Sequence, residues 1–96
     1  MSAFVIVNVE VIDPVGYEQY RSRALATVQK FGGRFLVRGG AHEVIEGDWR
    51  PERVILLEFP DLDTARRWYD SPDYQAIIPY RSSTSKFHMV MVEGQA

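Results

Sequence analysis

The chain has 96 residues, 46% hydrophobic and 25% charged, and eleven Lys and Arg against thirteen Asp and Glu give a formal charge of -2. That is the composition of one globular domain over residues 1–96, small enough that self-association is a natural way to enlarge its core. With no cysteine, disulfide scaffolds, thiol nucleophiles, iron–sulfur ligation and zinc knuckles are excluded. Charge of both signs is scattered along the chain, which argues against nucleic acid and anionic membrane as partners. The apolar run from Phe4 to Val7 is far shorter than a membrane span or a signal core, so the expectation is a cytoplasmic protein.

Residues 3–12 read as a strand, with Val5, Val7, Val9 and Val11 on one face and Phe4, Ile6, Asn8 and Glu10 on the other. Apolar side chains on both faces place it inside a sheet. Asp13-Pro14 reads as a helix cap followed by proline in the first turn, where its missing N–H costs no bond. The stripe Tyr17, Tyr20, Ala24, Val28, Phe31 carries that helix to Gly32-Gly33, which stops it. Residues 34–38 and 42–46 look like one long or bent strand interrupted by Gly39-Gly40. The loop Gly47-Asp48-Trp49-Arg50-Pro51 turns the chain into a third strand, 53–59, again apolar on both sides.

Asp61 caps a second helix through Asp70, and Ser71-Pro72 starts a continuation to about Ile78, where Pro79 argues for a stop. Residues 82–85, Ser-Ser-Thr-Ser, read as a loop, with no Gly-x-Ser-x-Gly elbow and no nearby base. The last strand, 86–93, alternates Phe87, Met89 and Met91 with His88, Val90 and Val92. The order strand, helix, strand, strand, helix, strand is the split βαβ arrangement of the ferredoxin-like α+β class, a four-stranded antiparallel sheet with its helices on one face. The helices cover one side of the sheet, so the other needs a cover, and a second copy of the chain would supply it.

Several segments together resemble a known family. They are the first strand from Phe4 to Val11, Asp13-Pro14 with Tyr17 and Tyr20, the run from Gly32 to Gly40, and Glu46-Gly47-Asp48-Trp49. Glu58-Phe59-Pro60, Ala65, Trp68-Tyr69, Ser71-Pro72, Tyr74-Gln75 and Arg81 complete the pattern. The chain closely resembles the domain-of-unknown-function family 1330 (DUF1330), within the dimeric α+β barrel superfamily, over roughly residues 3–94. The resemblance implies a homodimer with sheets packed face to face and a ligand cleft between helices and sheet. It brings no reaction, because relatives in the superfamily include quinone-forming monooxygenases, heme-degrading enzymes, muconolactone isomerase and chlorite dismutase. The heme degraders pair an asparagine on the first strand with a tryptophan and an axial histidine on the second helix. Here Asn8 and Trp68 are the counterparts of the asparagine and the tryptophan, but residues 62–78 contain no histidine, so heme is not expected.

Asn8 and Glu58 are polar residues inside apolar strands, where an unpartnered group costs about 1–3 kcal/mol. They either orient a substrate or are satisfied by water or within a dimer interface. His88, sharing a face with Val90 and Val92, is either a general base near neutral pH or a structurally bonded side chain. These three are the catalytic candidates. Arg38, placed on the Leu36 side of its strand just before the glycine pair, suits bidentate capture of a carboxylate, or equally an ion pair with Glu58 or a partner carboxylate. Arg81 is the other anion anchor. Tyr17, Tyr20, Trp68 and Tyr74, with Tyr69 and Tyr80 beside them, either wall a site for a flat organic ligand or are simply core. Trp49 is expected to cover a dimer edge or the cleft mouth. His42 and His88 have no ligand spacing, so a metal is not expected, and with no Gly-rich phosphate cradle of either common type no cofactor is expected. Two functions remain open: a protein binding, and in one version transforming, a small organic acid or phenolic compound, and a non-catalytic dimeric module.

Overall fold

The computed structural model describes residues 1–95. The elements run β1 (Ala3–Val11), α1 (Pro14–Lys30), β2 (Arg34–Arg38), β3 (Val54–Phe59), α2 (Leu62–Asp70), α3 (Pro72–Ser82) and β4 (Ser85–Glu93). The strands form one antiparallel sheet in the order β2-β3-β1-β4. β1 and β3, apolar on both sides, are the two central strands. Each helix starts on the signal written for it. The Asp13 carboxylate accepts from Gly16 N at 3.2 Å, Asp61 from Thr64 N at 2.7 Å, and Ser71 Oγ from Tyr74 N at 3.2 Å.

Alternation along the strands sends Val5, Val7, Val9, Ile55, Leu57 and Phe59 towards the helices, where they are buried. Phe87, Met89 and Met91 follow by register, opposite Val9, Val7 and Val5. The helices answer with Tyr17, Tyr20, Ala24, Val28, Ala65, Trp68, Tyr74 and Ile77. Trp68, Tyr74 and Phe59 are the largest fully buried side chains; the Trp68 ring centroid lies 5.1 Å from Phe59 and 4.3 Å from Tyr74. The opposite face, with Ile6, Asn8, Leu56, Glu58, His88 and Val90, carries no helix. Val90 there is 61% exposed. Among the described residues no helix is long and apolar enough to cross a membrane.

Three expectations are corrected. Residues 42–46 form no strand. Gly39 N donates to Val54 O at 3.0 Å, and there β3 has run out; Glu52 N beyond it is taken by Asn8 Oδ1 at 2.9 Å, so a prolonged β2 has no partner. Pro79 does not end the helix, which continues to Ser82. The turn after it is held by the Ser-Thr run read as a loop: Ser82 Oγ donates to Ile78 O, Thr84 Oγ1 to Tyr80 O and Ser85 Oγ to Arg81 O, at 3.1, 2.6 and 2.7 Å. These hydroxyls add side-chain bonds to carbonyls of the last turns of α3, where Arg81 O also accepts from Thr84 N at 3.2 Å. Finally, β2 slips register between Phe35 and Val37, so Val37 pairs with Leu56 and Arg38 with Ile55. The bulge turns Arg38 to the Phe35 side of its strand, under the helices, and not to the Leu36 side.

Candidate functional site

The bulge turns Arg38 into a cleft between α1 and its own sheet. Tyr17, Tyr20, Phe35, Trp68 and Phe87 supply rings, and Arg21, Arg38 and Arg53 supply charge. The cleft encloses about 440 Å³ outside the atoms, its open mouth included, but only about 20 Å³ of this is wide enough for the centre of a water molecule. It is a slot holding about one water as it stands.

Arg38 donates to the Arg21 carbonyl at 3.0 Å and lies 4.3 Å over the Phe35 ring. Arg53 enters from the start of β3, on the parity of Ile55 and Leu57, and its Nε is buried without a partner. Gly39 makes room for it: a Cβ there would stand 2.5 Å from Arg53 Nε, and φ is +76°. The glycine pair thus admits a guanidinium. Arg81, at the end of α3, stacks 4.0 Å over Phe87 and 5.8 Å from the Tyr20 centroid, and its Nε is also buried and unpartnered. Among the described residues no carboxylate pairs with Arg38, Arg53 or Arg81, and none lines the cleft. The Glu58 partner proposed for Arg38 is instead bound to Arg34, whose guanidinium meets Glu58 Oε1 at 2.7 and 2.8 Å.

The phenols set the proton chemistry. Burial pushes Tyr17 upward against the pull of Arg53, Arg81 and Arg38. Tyr20 is raised far beyond the usual phenol range, first by burial and then by Tyr74, whose hydroxyl lies 2.8 Å from its own. Burial likewise raises Tyr74, with Arg81 opposing. At neutral pH these hydroxyls are neutral hydrogen-bonding groups, not bases. Arg38 is lowered, first by partial burial and then by Arg21 and Arg53, and remains a cation in neutral water.

The structure separates the sequence-derived candidates into two groups. Arg38, Tyr17, Tyr20, Trp68, Tyr74 and Arg81 lie on the helix side, with Tyr74 behind Tyr20 and Trp68 at the bottom of the slot. Asn8, Glu58 and His88 lie on the opposite, uncovered face. There Asn8 is the cross-strand partner of His88, and a shallow groove joins both to Ile6, Val90 and Trp49. Asn8 Oδ1 accepts from Glu52 N at 2.9 Å. Glu58 is held below the usual carboxylate range by the hydrogen bond from Arg34, then by one from Ser2. Trp49 stands exposed beside the open sheet face and does not line the cleft. Arg53 was missed in the sequence, although its parity with Ile55 put an arginine on the buried face of a strand. Among the described residues no group of three or more His, Asp or Glu side chains is placed to hold a metal ion.

Residues 2–95 match the model of a domain of unknown function, DUF1330. The chain belongs to the DUF1330 family. No protein of curated function matches it. Solved structures share the fold of this DUF1330 chain at low identity. A protein of unknown function from Rhodopseudomonas palustris superposes with a TM-score of 0.78 at 14% identity, covering 99% of this chain and 83% of that one. A dimeric ferredoxin-like protein of unknown function from Jannaschia sp. CCS1 gives 0.69 at 14%, over 98% and 100%. SnoaB, a cofactor-independent oxygenase from Streptomyces nogalater, gives 0.63 at 12%, over 99% and 94%. The DUF1330 chain thus has the ferredoxin-like α+β fold, a four-stranded antiparallel sheet with three helices.

Proposed function

We propose that this DUF1330 protein is a homodimer, joined through the uncovered faces of its sheets, that binds a small flat organic acid or phenolic compound in the cleft between helices and sheet. One observation carries the ligand: Arg38 and Arg53, neither with a carboxylate partner, meet in an aromatic-walled cleft that no acidic residue lines, and the Arg53 Nε is buried and unbonded. A buried donor without a partner costs about 1–3 kcal/mol, and an anion would supply one. Arg38 and Arg53 take the acidic group, while Tyr17 and Tyr20 present rings to the body of the ligand. The slot has to widen for this, which the half-exposed Arg38 side chain at its mouth permits. The neutral tyrosines favour binding over proton abstraction within the cleft. The dimer is supported by the exposed Ile6, Val90 and Val92 and by the dimeric Jannaschia neighbour. Asn8, Glu58 and His88 then belong to the surface between the subunits.

The test is a thermal-shift screen of the purified protein against carboxylates, phenols and quinones, repeated on Arg38→Ala. A ligand at 100 times its dissociation constant adds about 2.7 kcal/mol, which for a domain of this size raises Tm by roughly 10–20 °C. The shift is lost in Arg38→Ala. A second reading, a dimeric module without a ligand, rests on the narrowness of the slot. Absence of any shift across the panel decides for it.

A further inference from the structure

The cleft does not end at its aromatic wall. Phe87 and Met89, which close the slot on the β4 side, also form the inner wall of a second concavity that opens to solvent beside that edge strand. It is far roomier, with about 480 Å³ accessible to the centre of a water molecule, and is walled further by Tyr69, Met91, Arg66 and Arg81. None of its lining residues is acidic. Arg81 stands at the junction: it lines the groove, while its guanidinium stacks on Phe87 and faces Tyr20, both residues of the slot. Arg38 and Arg81 thus approach from opposite edges of the sheet. β2, which carries Arg38, and β4, which carries the Phe87 ring beneath Arg81, are three strand spacings apart, roughly 14 Å.

We infer that slot and groove are two subsites of one site, and that its ligand is an elongated aromatic diacid, one acidic group held by Arg38 and Arg53 and the other by Arg81. This rests on the cleft-binding function proposed above and narrows it. Two cations without carboxylate partners, flanking a hydrophobic span, are matched by two anions on a rigid apolar body, and Tyr69, Met89 and Met91 give that body a polarisable wall. A monoacid leaves Arg81, whose Nε is buried and unbonded, without an anionic partner, so Arg81 selects for the second acid.

Calorimetric titration with benzoate and with phthalate, isophthalate and terephthalate tests this on the full chain and on Arg38→Gln, Arg81→Gln and Arg81→Lys. At least one diacid is expected to bind tenfold or more tighter than benzoate, with the ratio falling to within about twofold in Arg81→Gln and partly retained in Arg81→Lys. Circular dichroism melts establish that each variant folds, and Arg81→Lys carries the test if Arg81→Gln does not. Equal affinity for mono- and diacids, or a diacid preference that survives Arg81→Gln, overturns the inference while leaving the cleft function standing. Binding of no aromatic acid, or binding indifferent to Arg38→Gln, overturns the cleft function itself.

Discussion

Replacing Thr27 by valine removes one oxygen atom from the middle of the core while keeping shape and branching. In the native chain Thr27 Oγ1 donates to Ala24 O at 2.8 Å and accepts from Trp68 Nε1 at 3.1 Å. Trp68 is 1% exposed, so its indole N–H has no water to turn to. The valine leaves that donor orphaned, at about 1–3 kcal/mol. Threonine and valine have similar helix propensities, so α1 itself contributes little to the difference. A loss of about 2 kcal/mol lowers Tm by roughly 8–16 °C in a domain of this size. Thr27→Ser is the control: it keeps the acceptor and loses one buried methyl, about 0.8 kcal/mol. The assay is urea unfolding followed by far-ultraviolet circular dichroism at one fixed protomer concentration, because any dimerisation makes stability concentration-dependent. The indole N–H resonance of Trp68 reports the lost bond separately. A cost for Thr27→Val equal to or below that of Thr27→Ser would refute the claim that this hydroxyl satisfies the tryptophan.

Two further outcomes follow from the uncovered face. Ile6→Asp and Val90→Asp, changed on adjacent central and edge strands of that face, put charge where the second sheet is proposed to pack, and light scattering should then report monomer or aggregate; an unchanged dimer from both sinks the sheet-face interface. Glu58 is lowered by Arg34, so the stability it contributes is fully present above the ordinary glutamate range and is lost as pH falls through the lowered folded-state value. Arg34→Gln should raise the Glu58 pKa, seen by NMR titration, and flatten that acid-side loss of stability; a Glu58 titration that does not move upward contradicts the pairing.

The fold was legible where one signal governed one element. Asp13-Pro14, Asp61 and Ser71-Pro72 each name a helix start by a side-chain acceptor, and the two-sided apolar strands name the sheet centre. The failures come from tertiary arrangement. Residues 42–46 have strand-like composition, yet no strand remains beside them once Gly39 has bonded to Val54. Strict alternation gave Arg38 the wrong face because nothing in Phe35-Leu36-Val37 announces a bulge. The candidate residues were identifiable as types, aromatic and arginine near both helices. Their division between two faces was not, because it depends on which side of the sheet the helices cover. Arg53 was overlooked because a charged residue at a strand end is usually solvated.

Ser71 closes α2 and opens α3 with a single hydroxyl, donating to Trp68 O at 2.7 Å and accepting from Tyr74 N. That fixes the phase between two aromatic side chains whose rings nearly touch. One residue added to either helix would turn its ring by about 100° around the helix axis and out of the core. Growth and shrinkage of homologous chains should therefore avoid this corner and concentrate in residues 40–50, where side chains built on Gly40 and Gly47 meet nothing within 4 Å.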